Sequence, residues 1–291
     1  MSGSIGMIGV GAMGEPMAAN FVKKGLAVTV MKSRRPGVDD RLKALGAKVA
    51  SRPADVAAGC DALILSLPTS KEVESVLLGE GGAAAALGAG ALVIDCTTGN
   101  PPDTARIAAQ LRSRKVGFVA AGMTRGVAGA KQGKLAFFIG GDKADVERAK
   151  GVLQATGDTF IEFATAGQAH TAKLISNVLS YATVALVNDA LMLGAKNGVE
   201  LPTLYKALSE GAPSKALEAF GSRIVAGEYD PPRVTVEHAC DDFKLAQGLA
   251  ASPGAHMLAA AQDVYRRASG AGSGERDVSI LGEPWRGKGK P

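Results

Sequence analysis

Ser4-Ile5-Gly6-Met7-Ile8-Gly9-Val10-Gly11-Ala12-Met13-Gly14-Glu15-Pro16-Met17-Ala18 is the stretch that decides the fold. An apolar run of strand length leads directly into Gly-x-Gly-x-x-Gly, and a helix-forming segment follows without a break. Strand, glycine turn and helix in that order open a dinucleotide-binding βαβ unit. Gly9 permits the tight turn, Gly11 lets the backbone approach a pyrophosphate, and Gly14 lets the helix pack closely on the strand, with Val10, Ala12 and Met13 completing the turn. The helix N-terminus would then hold the phosphates with its unpaired N–H groups. A glycine-rich turn with no ligand is the plainer reading, and the flanking strand and helix argue against it.

Outward from this stretch the first half alternates short apolar runs with helix-like segments. Ala27–Met31, Ala62–Ser66 and Ala91–Asp95 repeat the pattern of Ile5–Gly9, and Gly117–Ala121, Ala136–Gly140 and Thr159–Phe163 extend it. Runs without polar alternation suit strands covered on both faces, so the expected fold is a parallel, doubly wound α/β sheet with right-handed crossovers. From Gly167 to Lys196 the pattern changes. Apolar residues fall almost all round a helical wheel until Asn197-Gly198, a good C-terminal stop, which predicts a buried helix roughly 45 Å long at 1.5 Å per residue. The rest, punctuated by Pro202, Gly211-Ala212-Pro213, Pro231-Pro232 and Ser252-Pro253-Gly254, reads as helices without strands. The expected domains are a Rossmann-type unit over 1–164 and an all-α unit over 165–291, with a loose tail after Gly282.

An NAD site places Asp or Glu about 20 residues beyond the glycine turn, on the ribose 2′-hydroxyl. Lys32, Ser33, Arg34 and Arg35 stand there instead. Such a cluster can make charge-assisted bonds to a 2′-phosphate, so NADP is expected over NAD, with NAD still open. A solvated basic loop would look the same.

Composition sets the remaining bounds. The 291 residues, 46% hydrophobic and 21% charged, suffice for two ordinary domains. Cys60, Cys96 and Cys240 lie far apart, suggesting neither a disulfide framework nor a zinc site. The start has no basic segment followed by an apolar one, so export is not expected, and the reading is a cytoplasmic protein. Val178–Leu193 is interrupted by Asn188-Asp189 and falls short of a membrane span, so no membrane is expected as a partner. The net charge of +5 is partly carried by Arg286, Lys288 and Lys290, and aromatic residues are only 4%, which weighs against nucleic-acid binding.

With these residues assembled, the chain resembles the β-hydroxyacid dehydrogenase family over nearly its whole length. That family includes 3-hydroxyisobutyrate dehydrogenases and the tartronate semialdehyde and glyoxylate/succinic semialdehyde reductases. The resemblance rests on Gly9–Gly25, Ser66–Pro68, Asp95–Pro101, Thr124–Gly141 and Gly167–Asn177, in the family's order. It implies further cofactor contacts at Leu67, Pro68 and Thr98, and a turn at Thr124-Arg125-Gly126 for the substrate carboxylate. It also implies that Lys173 on the long helix is the catalytic residue. Asn177 follows Lys173 by four residues, so both lie on one helix face. A lysine on an apolar helix is costly without a purpose, although one whose stem reaches water gives the same pattern.

There are departures. The family usually has Asp-Ala-Pro-Val where Ala120-Ala121-Gly122-Met123 stands, and Lys-Asp where Asp241-Asp242 stands. Arg125 replaces a glycine, as in relatives that reduce a sulfonated aldehyde, and could meet a second anionic group on the substrate. Asp241 could pair with Arg125 or meet a cationic substrate group. His170, one turn before Lys173, reads as a packing residue more readily than as a second proton-transfer group.

The resemblance implies hydride transfer between a nicotinamide and a small anionic hydroxy acid or aldehyde, with Lys173 as general acid and base. Two alternatives stand beside it: an imine reductase, which usually has Asp or Tyr at the lysine position, and a catalytically silent Rossmann scaffold, which tends to lose the lysine. An apolar long helix with few others to cover it further predicts a homodimer or homotetramer.

Overall fold

A computed structural model describes residues 3–249 and 256–283. The basic tail and the Ser252-Pro253-Gly254 break lie outside the described residues. The chain divides into two compact units, Met1–Lys173 and Leu174–Pro291.

The first unit carries one eight-stranded sheet. Its strands are β1 (Ser4–Ile8), β2 (Ala27–Met31), β3 (Lys48–Ala50), β4 (Ala62–Leu65), β5 (Leu92–Asp95), β6 (Gly117–Thr124), β7 (Leu135–Gly141) and β8 (Gly157–Phe163). The order is β3-β2-β1-β4-β5-β6-β7-β8. Helices α1 (Gly14–Lys23), α2 (Val38–Leu45), α3 (Pro53–Ala57), α4 (Ser70–Leu78), α5 (Pro101–Ser113), α6 (Gly126–Gln132) and α7 (Lys143–Leu153) lie between the strands. Side chains alternate between two buried layers: Ile64 and Ile94 join Met7 and Phe21 in one, while Leu63, Leu65 and Val93 join Ile8 and Ile107 in the other. Burial on both faces is why these strands read as unbroken apolar runs.

The expectation of parallel pairing throughout needs one correction, because β6 and β7 are antiparallel. The connection from Arg125 to Lys134 is shorter than the dozen or more residues that a parallel crossover needs, so the chain returns alongside the strand it has just left. The pairing of β7 with β8 is parallel again. Strand β3 was not legible, since three residues, one of them Lys48, make no apolar run.

Helix α8 (Ala166–Lys196) begins in the first unit, where Ala166 and Ala169 are buried in the layer beside Ala120. It continues as the spine of the second unit with α9 (Leu201–Gly211), α10 (Lys215–Ala226), α11 (Val236–Leu249) and α12 (His256–Ala268). Among the described residues this unit holds no strand, only an isolated bridge between Thr235 and Asp277. Its core gathers Tyr181, Phe243 and Tyr265, whose ring centroids lie 5.8–6.3 Å apart, and the Tyr265 hydroxyl donates to the Tyr181 carbonyl at 2.9 Å. The expectation that α8 is buried all round is corrected. Ile175, Leu179, Leu186 and Leu193 are 52–65% exposed, because the helices of the second unit cover only part of its circumference.

Candidate active site

The glycine turn follows β1 near the middle of the sheet order, where β1 lies between β2 and β4. A Cβ on Gly9, whose φ is +99°, would stand 2.1 Å from the Ser66 carbonyl oxygen, and one on Gly14 would stand 1.9 Å from that of Gly9. Both glycines are demanded by the protein's own packing. A Cβ on Gly11 would meet nothing within 4 Å, so this backbone faces open space. No side chain caps α1 at Met13. An uncapped helix N-terminus behind an open glycine backbone fits a pyrophosphate.

At the end of β2 the chain folds into a tight loop: the Ser33 N–H donates to Asp39 Oδ1 at 2.8 Å, and the Arg35 N–H donates to Ser33 Oγ at 3.0 Å. Asp39 is thus committed to the shape of the loop. Lys32, Arg34 and Arg35 are exposed. Glu15, in the first turn of α1, accepts from Arg41 Nε at 2.7 Å and from Arg35 at 3.4 Å. The sequence reading did not single out Arg41, whose carboxylate partner lies 26 residues away.

The loops after β4 and β5 are stitched together. The Leu67 N–H donates to Thr97 Oγ1 at 3.2 Å, the Thr97 N–H to the buried Asp95 Oδ1 at 3.0 Å, and the Asn100 N–H to Ser70 Oγ at 2.7 Å. Thr97 is buried while Thr98 and Leu67 are half-buried and Pro68 is exposed, so these bonds fix the pose of the residues that can meet a ligand. Burial pushes the Asp95 carboxyl up, against the opposing pull of His170 and of the Thr97 donors.

Strand β6 ends at Thr124. Arg125 and Gly126 then take φ values of +76° and +60°, which turns their backbone into the start of α6. The Arg125 guanidinium donates to the Lys134 carbonyl at 2.8 Å, Asp158 Oδ1 at 2.6 Å and Thr159 Oγ1 at 2.9 Å. Its charge is therefore matched on the edge strand β8. Asp158 is held below its ordinary value by the Thr159 hydroxyl and then by Arg125. Two residues before Thr124, a Cβ on Gly122 would stand 2.7 Å from Cγ of Lys173, so the lysine stem lies directly on β6. Half-buried Lys173 and the Thr124-Arg125-Gly126 turn are thus brought to one strand end.

Asn177, one turn along α8, donates from Nδ2 to Asp242 Oδ2 at 2.8 Å, and the Tyr181 hydroxyl donates to the same oxygen at 3.1 Å. His238 Nε2 lies 3.7 Å from it. Asp242 is buried, and burial followed by its charge holds the Tyr181 hydroxyl well above its ordinary value. Asp241, singled out in the sequence, is exposed and pairs with Lys244 at 3.3 Å. A residue step of 100° on α11 separates the two acids, and the informative one is Asp242.

Residues 4–167 match the family described as the NAD binding domain of 6-phosphogluconate dehydrogenase, and residues 167–285 match the NAD-binding of NADP-dependent 3-hydroxyisobutyrate dehydrogenase. The chain belongs to the β-hydroxyacid dehydrogenase family. It is similar to the NAD-dependent L-serine dehydrogenase of Pseudomonas aeruginosa, at 31% identity over 95% of this chain and 96% of that one. It is equally similar, at 31%, to the 3-sulfolactaldehyde reductase of Escherichia coli, over 97% and 96%. The solved 3-hydroxyisobutyrate dehydrogenase of Salmonella typhimurium shares its fold with a TM-score of 0.89, at 27% identity and over 97% and 99% of the two chains. This β-hydroxyacid dehydrogenase is accordingly an NAD(P)-dependent oxidoreductase acting on a CH–OH group.

Three further residues of this dehydrogenase, Cys96, Asp277 and His170, are buried. Cys96 is buried, with its thiol pushed well above the ordinary value by burial. Asp277 accepts from the N–H groups of Ser279 and Arg233 at 3.0 and 2.6 Å and so fixes the turn leading into Val278–Gly282. His170 is fully buried. Among the described residues no cluster of three or more metal-ligating side chains occurs.

Proposed function

We propose that this dehydrogenase prefers NADP and interconverts a small 3-hydroxy acid and its semialdehyde, with Lys173 as general acid and base. The observation that carries the reading is the lysine stem lying on Gly122, two residues from the Thr124-Arg125-Gly126 turn. A bound nicotinamide supplies the hydride in reduction and takes it up in oxidation. Lys173 as ammonium gives its proton to the alkoxide oxygen as that charge develops, and takes it back in the oxidative direction. The Thr124 hydroxyl and the N–H groups of Arg125 and Gly126 hold the substrate carboxylate, so binding energy fixes the reacting carbon. Asn177 orients the substrate, and Asp242 fixes Asn177. The names of the relatives, an L-serine dehydrogenase and a 3-sulfolactaldehyde reductase, support a small, acidic, oxygenated substrate.

Preference for NADP is supported by Lys32, Ser33, Arg34 and Arg35, joined by Arg41, and by Asp39 being committed to Ser33. A homodimer or homotetramer is supported by Leu179, Leu186 and Leu193, exposed at intervals of seven residues and hence on one face of α8. We place the enzyme in the cytoplasm.

The test is initial-rate oxidation of NADPH and NADH against glyoxylate, succinic, tartronate and methylmalonate semialdehydes, a sulfonated aldehyde and a cyclic imine. Turnover of a semialdehyde with NADPH preferred, abolished in Lys173→Ala while NADPH still binds, is expected. Turnover of the imine alone, or full activity in Lys173→Ala, overturns the reading.

A further inference from the structure

Gly99 is buried in the loop after β5, and its φ lies outside the left-handed region, so its backbone would accept any residue. Space forbids it. A Cβ there would stand 2.2 Å from Nδ1 and 2.4 Å from Cε1 of His170. The imidazole thus lies against the Gly99 backbone, and the nearest obstacle to a side chain at 99 is the histidine at 170.

The same imidazole is bonded on its other side. His170 Nδ1 lies 2.7 Å from Thr104 Oγ1, and that hydroxyl donates to the Asn100 carbonyl at 3.0 Å. Since a hydroxyl has one proton, keeping both bonds makes Nδ1–H the donor to Thr104 and leaves Nε2 bare. Nε2 is buried without a partner at full hydrogen-bond geometry, and the Asp95 backbone and carboxylate also act on the ring. A fully buried histidine is not the residue that best fills a gap in a core, because a poorly matched buried polar atom costs stability. Its position is informative. The ring spans from α8 to the loop 97–100, which carries Thr98, and to the first turn of α5, and it lies one helical turn before Lys173.

We infer that His170 is a positioning residue that, wedged against Gly99 and bonded to Thr104, sets the loop 97–100 and the first turns of α8 in register. The pair Gly99–His170 acts as a ball and socket: the loop can approach α8 closely only because the glycine has no side chain, and it is stopped there by the ring. The consequence for function rests on the reading above, in which Thr98 contacts the nucleotide and Lys173 moves the proton. Misplacement of either by about 1 Å is enough to slow the reaction by up to about a hundredfold.

A double-mutant cycle between Gly99→Ala and His170→Ala tests the inference, with NADPH affinity measured by fluorescence titration and turnover measured separately. Gly99→Ala is expected to weaken NADPH binding about tenfold, and Gly99→Ala/His170→Ala to return it to within about threefold, because the methyl enters the space the ring has left. Gly99→Ala binding NADPH normally, or effects that add in the double variant, overturns the inference. If Gly99→Ala does not fold, folding restored in the double variant gives the same answer, and failure of both overturns it.

Two further substitutions separate positioning from packing. His170→Asn keeps an N–H donor near the Nδ1 position and should hold kcat and the NADPH KM within about threefold of the parent, whereas His170→Phe keeps the bulk, loses the bond to Thr104 and should lower kcat about tenfold. Equal behaviour of the two overturns the inference. Because nucleotide affinity is read without chemistry, failure of the lysine reading, seen as turnover in Lys173→Ala, is distinguishable from failure of this one.

Discussion

Asp242 holds Asn177. The Asn177 amide donates to its carboxylate at 2.8 Å, and the same oxygen accepts the Tyr181 hydroxyl at 3.1 Å. Taking away that acceptor costs two donors a bond, one of them a buried hydroxyl. Asp242→Ala should therefore lower the unfolding free energy in urea by about 1–3 kcal/mol, and Tyr181→Phe by only about 1 kcal/mol. If Asn177 orients the substrate, Asp242→Ala will also lower kcat more than Tyr181→Phe does, when both are compared at equal occupancy of NADPH.

Glu15 draws Arg35 and Arg41 onto itself. A 2′-phosphate would have to compete for these guanidinium groups, and the carboxylate near the N-terminus of α1 also opposes anions there. Glu15→Gln should lower the NADPH KM by roughly two- to fivefold, the size expected for an exposed ion pair, and lower the NADH KM by less, since NADH shares the pyrophosphate but not the 2′-phosphate. Arg41→Ala should raise the NADPH KM alone. Parallel changes with both cofactors would remove Arg41 and Glu15 from cofactor choice.

The Arg125 guanidinium already has three partners on the far side of its turn, while its backbone sits at a φ that favours glycine. Arg125→Gly should leave stability within about 1 kcal/mol of the parent, since relief of the left-handed conformation offsets the loss of an exposed ion pair. The KM for a monocarboxylate should stay within about threefold. A selective loss of affinity for a sulfonated or second carboxylate group would mean that the guanidinium leaves Asp158 to meet substrate.

His170 sets a pH dependence of stability. Burial holds its pKa below 6.5, against the pull of Asp95, so near neutrality the folded form keeps the ring neutral. As pH falls through 6.5 the unfolded chain takes up a proton that the folded chain refuses, and stability is lost toward the folded pKa with a slope of at most about 1.4 kcal/mol per pH unit. The buried Asp95 carboxyl has the opposite sign: its pKa is raised above 3.8, so its contribution is present below 3.8 and lost as pH rises through the folded value. Between about pH 7.5 and about pH 5.5, the urea midpoint of the wild type should fall more than that of His170→Asn. Equal falls would show that the ring is not refused its proton.

Much of the architecture was legible because it depends on local pattern. The glycine turn between strand and helix, the unbroken apolar runs and the long apolar helix each follow from how neighbouring residues must be placed. The antiparallel return of β7 was a matter of connection length, open to counting but hidden by runs that look alike in either direction. Within the candidate site, the glycine turn, the basic loop after β2 and Lys173 stand out in the sequence by position in a motif. Asp242 does not, since two adjacent acids on a helix are equivalent until the helix has a buried side, and Arg41 does not, since its carboxylate partner lies 26 residues away.

The sequence by itself therefore determined the order of the elements, the family and the residues at motif positions, because these are fixed by periodicity and by backbone conformations that only glycine tolerates. Tertiary structure alone decided that the Arg125 guanidinium turns to Asp158, that Asp242 rather than Asp241 holds Asn177, and that His170 lies against Gly99. Each of these depends on which atoms distant stretches of chain bring within a few ångströms, and on the cost of leaving a buried polar group unmatched, neither of which a linear pattern encodes.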